Sequence, residues 1–180
     1  MDKKFYFLLI FSVLALSACG GAADEEPFIM EGEAFEMYLI ADPELSGGDL
    51  QNYELEELPL NEEPFLSTND IVSYMWGNHA INLTEEAYLK VVVNFAQGLP
   101  LNGLPFVIVS HGERIYAGAF WSLASSASFD GVVIQQPFDP AGQPLFITLG
   151  YPTADFFTGE DPRGDPRLRQ ALENAELIIE

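Results

Sequence analysis

The chain has 180 residues, a single cysteine, and 28 acidic against seven basic side chains, for a formal net charge of -21. Such a balance repels phosphates and anionic lipid headgroups, which argues against nucleic-acid binding and against a polybasic membrane contact, and favours cations or a basic partner. Hydrophobic residues make up 48% of the sequence, enough for a packed core, and the length suits one domain better than two.

The N-terminus runs Met1-Asp2-Lys3-Lys4, then Phe5 to Phe11, then Val13-Leu14-Ala15-Leu16: a charged start and an apolar run too short for a spanning helix, as in a targeting segment. The junction Leu16-Ser17-Ala18-Cys19 resembles the lipobox of bacterial lipoproteins. That resemblance implies cleavage before Cys19, lipidation of its thiol and anchorage to the bilayer, with residues 1–18 a signal peptide. In enteric bacteria an Asp after the lipid-bearing Cys favours inner-membrane retention. Gly20 stands there instead, so the resemblance implies the outer membrane or the cell surface. More than one acyl chain anchors stably without further membrane contact. Lipidation also consumes the only cysteine, leaving no disulfide and stability from packing alone. Loss of residues 1–18 removes Asp2, Lys3 and Lys4 and leaves 27 acidic against five basic side chains.

Residues 19–27 are small, then acidic, then Pro, and read as a flexible tether to an α+β domain over 28–180. Ala34 to Ile40 alternates as a strand ending at Asp42-Pro43. Leu45 to Asn52 reads as a loop, and Tyr53 to Leu60 as an edge-like strand. Ser67 to Asp70 offers capping side chains before a single helical turn over Ile71 to Tyr74. His79 to Leu83 is a strand. Thr84 then caps a helix over residues 85–96, with Glu85 and Glu86 at its positive end, Glu86 paired with Lys90, and Gly98 as terminator. Tyr88, Val91, Val92 and Phe95 form its apolar stripe.

Phe106 to Ser110 and Glu113 to Tyr116 flank His111-Gly112, a two-residue hairpin turn. This pairing sets Ile108 opposite Ile115 and Val107 opposite Tyr116, and makes the hairpin apolar on both faces, hence central in the sheet. Further strands are predicted at Val132 to Ile134 and Leu145 to Leu149. Asp165 and Pro166 open a C-terminal helix that buries Leu168, Ala171, Leu172 and Ala175, and Leu177 to Ile179 closes the sheet. The fold class is α+β, a mostly antiparallel sheet with two main helices packed on it.

From His79 to Phe120 the order strand, Leu83-Thr84-Glu85-Glu86 helix start, apolar strand and Gly-centred hairpin resembles the exported head region of the protein-export subunit SecD. The resemblance implies a layer of β-α-β-β type. The remainder departs from it, with a lipid tether in place of a multi-span membrane domain, so translocation activity does not carry over. The whole chain resembles uncharacterised bacterial lipoproteins, a likeness that brings no chemistry.

Chemistry-bearing residues are few. A hydrolase would draw on His79 or His111 with the serine-rich stretch Ser122 to Ser128, above all Ser126 with His111, and Asp130, but the chain has no Gly-x-Ser-x-Gly elbow. Glu160, Asp161 and Asp165 could hold calcium, although no Asp-x-Asp-x-Asp-Gly loop is present and no metal or cofactor is expected. Arg163, Arg167 and Arg169 supply three of the five basic residues beyond Cys19, either to bind an anion near a helix start or to neutralise neighbouring acids. Arg163-Gly164-Asp165 also spells the integrin-recognition tripeptide. Trp121, with Trp76, Tyr116 and Phe120, could form an aromatic platform for carbohydrate or peptide, or could be core. Trp121, Arg163, Arg167 and Arg169 are the candidate binding residues. The function expected from the whole is a non-catalytic, lipid-anchored envelope protein that binds another envelope component. A tethered hydrolase and a cation-binding protein are the alternatives.

Overall fold

A computed structural model describes residues 32–136 and 144–180; Cys19 and the whole of the expected signal peptide and tether lie outside them. Nine strands form one sheet: β1 (Glu36–Leu39), β2 (Leu66–Ser67), β3 (Ile71–Met75), β4 (Ala80–Leu83), β5 (Leu104–Ser110), β6 (Glu113–Ser122), β7 (Phe129–Gln136), β8 (Leu145–Tyr151) and β9 (Ile178–Ile179). Their spatial order is β2-β1-β5-β6-β7-β8-β4-β3-β9. Pairing is antiparallel except between β6 and β7 and between β3 and β9. The two longer helices are α1 (Glu85–Asn94) and α2 (Pro166–Asn174). Among the described residues no helix is long and apolar enough to cross a membrane.

Both helices cover one face of the sheet. Ala87 and Val91 of α1, Phe95 at its C-cap, and Leu168 and Leu172 of α2 share a core with Met37, Phe106, Ile108, Phe120, Ile134 and Ile147. α1 ends at Asn94, two residues short of the predicted end at 96. The Thr84 hydroxyl accepts the Ala87 amide, Gly98 turns the chain at φ +92°, and Asp165 caps α2 with Pro166 in its first turn, as the sequence predicts. Two further details differ. Ala175 is exposed just past the end of α2, and the Lys90 ammonium lies 5.3 Å from the Phe65 ring centroid, using an aromatic face where a partner on Glu86 was expected.

The central hairpin is apolar on both faces, but its register slips. Ser110 pairs with Glu113 and Val109 with Arg114, and then a bulge sets Ile108 opposite Tyr116 and Val107 opposite Ala117. The extra residue lets consecutive side chains, Ile115 and Tyr116, enter the helix-covered core together. Without it Tyr116 would face the other side, where Val107 and Val109 sit under Leu45 and Leu58.

That other face is roofed by 3-10 turns at Gly47–Asn52 and Leu55–Glu57 where a loop and an edge strand are predicted. One isolated bridge, Ile40 to Leu60, remains of the predicted strand. Arg114 explains the difference: its Nη1 donates to the carbonyls of Leu55 and Leu58 at 2.6 and 2.8 Å, satisfying acceptors that a strand would have spent on a ladder. Similarly, the single turn expected over Ile71 to Tyr74 forms one step earlier, as a 3-10 turn at Thr68–Asp70. Ile71–Met75 is extended because β4 and β9 offer partners on its two sides. The predicted β-α-β-β order is present as β4, α1, β5 and β6, yet β7 and β8 stand between β4 and the hairpin.

Candidate binding site at the open edge of β8

Within the sheet, β4 accompanies β8 for a short distance only. Ala80 pairs with Phe146 and Ile81 with Leu145, and the Ile147 amide donates to the His79 carbonyl. The β3–β4 connection then turns away through Trp76–Asn78 and His79, which is left-handed at φ 51°. β8 continues to Tyr151, but Gly150 is left-handed at φ 66° with Thr153, Phe156 and Phe157 close against it, so the part of the edge left without a strand partner is short and centres on Leu149. An open pocket of about 350 Å³ lies there, lined by Asn78, Gln135, Thr148, Leu149, Thr153 and Arg163 among others.

Arg163 occupies the start of the gap. Its Nη1 donates to the Ile147 carbonyl at 2.6 Å, while Nε and Nη2 donate to the two Asp161 carboxylate oxygens at 2.9 and 2.7 Å. The guanidinium thus takes the hydrogen-bonding place of the absent strand residue. Its local conformation is written in the chain twice: Asp161-Pro162-Arg163 is followed directly by Gly164 and Asp165-Pro166-Arg167. In both copies Asp accepts the Arg amide two residues on and grips the same guanidinium as a fork. The copies diverge at Nη1, because Arg167 sends it to Glu113 Oε2 at 2.9 Å on the surface. This tandem Asp-Pro-Arg is the signal that a reading of individual charges overlooks.

A group of rings and hydroxyls backs the pair. The Tyr74 hydroxyl lies 3.2 Å from His79 Nδ1, and Tyr74, Trp76 and His79 rings pack with centroids 5.6 to 6.3 Å apart. Burial pushes the Tyr74 phenol well above its ordinary range, so it stays protonated beside Nδ1. Burial, then the Arg163 charge, holds the His79 imidazole below its usual value, and the tautomer of the neutral ring sets the direction of their hydrogen bond. Tyr116, buried beneath, is likewise driven well upward by desolvation, and the neighbouring Tyr74 hydroxyl adds to the rise. Hydrogen bonds from Arg163 hold the Asp161 carboxyl down, so the ion pair persists through the neutral range. No family, curated protein or solved structure matches this chain.

The remaining candidate residues are distributed as follows. Trp121 is 1% exposed, stacked on Phe129 at 4.7 Å and packed against Tyr151; a ring so enclosed has no face for a ligand and serves as core. Arg169 donates to Glu173 and Glu180 and lies 5.4 Å from the Trp76 ring centroid. With Lys90 on Phe65 and Arg114 on two carbonyls, each of the five basic side chains of the described residues has an internal partner. The arginines near α2 thus each pair with a neighbouring acid, and Arg163 also with a backbone carbonyl.

The hydrolytic constellation is not assembled. His111 Nδ1 is 3.1 Å from the Gly32 carbonyl, its Nε2 is buried without a partner, and neither histidine hydrogen-bonds a serine hydroxyl among the described residues. The Ser122 and Ser125 hydroxyls accept the amides of Ala124 and Ala127, stabilising the short crossover 123–128 between parallel β6 and β7. Ser126 is exposed on that crossover. Asp161 and Asp165 spend their oxygens on arginines, Asp130 binds Thr158, and among the described residues no three His, Cys, Asp or Glu converge to hold a metal. Arg163-Gly164-Asp165 offers neither charge freely, since both are committed to the paired clamps.

Proposed function

We propose that the chain is a non-catalytic protein of the cell envelope, held to the outer membrane or cell surface through a lipidated Cys19, whose residues 28–180 act as one domain that binds another envelope component, a protein or peptide. The observation that carries the reading is the gap at β8: a pocket with neutral amides and hydroxyls, a self-neutralised arginine and a short strand edge without a strand partner. Groups of this kind hold a partner through main-chain and side-chain hydrogen bonds. The proposal needs no cofactor and no nucleic acid. It is supported in addition by the lipobox and by the internal engagement of the five basic side chains, which leaves an acidic exterior.

Cross-linked capture of the tagged protein from its own membranes, with Cys19→Ala as the untethered control, tests it. The expected result is a near-stoichiometric envelope partner that disappears with the control, together with loss of the control from the membrane fraction. A tethered protein recovered alone, or a Cys19→Ala chain that stays membrane-bound, would overturn the reading.

A further inference from the structure

We infer that the open edge of β8 receives an extended peptide segment, basic in its flanks, as an added strand; this deepens the proposed binding role and rests on it. Along a strand, alternate residues direct both amide and carbonyl to the same side. The Ile147 amide points to the β4 side, where it meets His79, and the Ile147 carbonyl points there too, where it meets Arg163. Leu149, the next residue in that phase, therefore presents its amide and carbonyl to the same gap, beyond the reach of β4. Leu149 thus offers one donor and acceptor pair of the kind strand addition uses, between the Arg163 guanidinium and the left-handed Gly150.

The pocket supplies the flanking contacts. Of the five N–H hydrogens of a guanidinium, Arg163 spends one on each nitrogen, which leaves one on Nη1 and one on Nη2 for an incoming carbonyl. Asn78 and Gln135 can donate and accept, and the Thr148 hydroxyl, already donating to the Val133 carbonyl, still accepts. None of the lining residues is aromatic, so the flat surface on which sugar rings stack is missing. At about 350 Å³ the space stands at the small end of ligand pockets, roughly 300–1,000 Å³, which fits a short stretch of backbone. Charge selects the flanks: Asp155 and Asp161 bond the lining residues Thr153 and Arg163, the chain as a whole is at -21, and each cation of the described residues is already engaged internally.

The test screens the full chain against acetylated, amidated hexapeptides with and without flanking lysines, and the best binder is remade with alternate amides N-methylated. Thr153→Arg, at an exposed rim position, is the blocking variant, and Asp155→Asn is a milder second. Expected are a preference for lysine flanks, weakening with added salt, and about tenfold or greater loss on N-methylation and in Thr153→Arg. Binding indifferent to both changes, or no peptide bound while chitobiose or cellobiose binds in a manner sensitive to Thr153→Arg, would overturn the inference. If Thr153→Arg captures the same membrane partner as the unaltered protein, the β8 edge is wrong as the site and the binding role still stands.

Discussion

Replacing Arg163 by Ala, with Arg167→Ala as its twin, isolates what the guanidinium at β8 contributes. Each arginine loses the same fork to the aspartate two residues before it, a partly or fully exposed pair that contributes about 0.2–1 kcal/mol. Arg163 alone also loses the bond to the Ile147 carbonyl, inside the sheet and with the arginine side chain 14% exposed against 52% for Arg167. A hydrogen bond to a charged donor contributes about 1.5–3 kcal/mol. Arg167→Ala also loses the exposed pair to Glu113, so the expected costs are about 2–4 kcal/mol for Arg163→Ala and about 0.4–2 kcal/mol for Arg167→Ala. With a urea slope of about 2 kcal/mol per molar, the two midpoints should differ by about 1 M, read by far-ultraviolet circular dichroism. Equal midpoints would refute the argument, since water would then replace the guanidinium at the carbonyl without loss.

Gly103→Ala should be among the most damaging single-methyl additions, because φ is +78° and the new Cβ would stand 2.4 Å from Trp121 Cε3; a loss of about 2–4 kcal/mol and a red-shifted tryptophan emission are expected, and an unchanged melting temperature would contradict the packing described. Thr84→Ala removes the cap that accepts the Ala87 amide and should cost about 1 kcal/mol in urea unfolding, with Thr84→Ser restoring most of it. Stability should fall with acid. The folded His79 imidazole binds its proton less readily than the unfolded one, so its contribution is complete above pH 6.5 and is lost as pH drops toward its folded value. His79→Asn, which tolerates the left-handed backbone, should flatten the urea midpoint between pH 7 and 5, leaving the later decline below about pH 4 as Asp161 and Asp165 protonate.

Local chemistry made part of this fold legible in the sequence. Thr84 with Gly98, Asp165 with Pro166, and His111 with Gly112 each set a boundary through their own backbone geometry, and each boundary stands where the residues put it. Long-range contacts were not legible. The segment 53–60 has strand-like alternation, but its carbonyls are taken by Arg114 from far along the chain. The hairpin register follows from which face needs Tyr116, a fact of the assembled core. For the site, the acids and arginines near α2 drew notice by composition, while the decisive partner, the Ile147 carbonyl, is a backbone atom with no mark in the sequence. Trp121 was ambiguous because an aromatic beside small residues suits a platform or a core equally, and only the crossover and Phe129 decide for the core.

The order of strands in the sheet also sets a timetable. β1 must wait for β5, and the β3–β4 hairpin pairs with β8 and β9 only when the last part of the chain exists, as Ala80 with Phe146 and Tyr74 with Ile178. Pairings so distant in sequence slow the search for the native state by topology alone. No early stretch can lock the sheet, and the chain emerging first has the least to hold it folded. For a polypeptide proposed to reach the outer membrane or cell surface, such a delay keeps the chain open until β8 and β9 are available to pair with the β3–β4 hairpin.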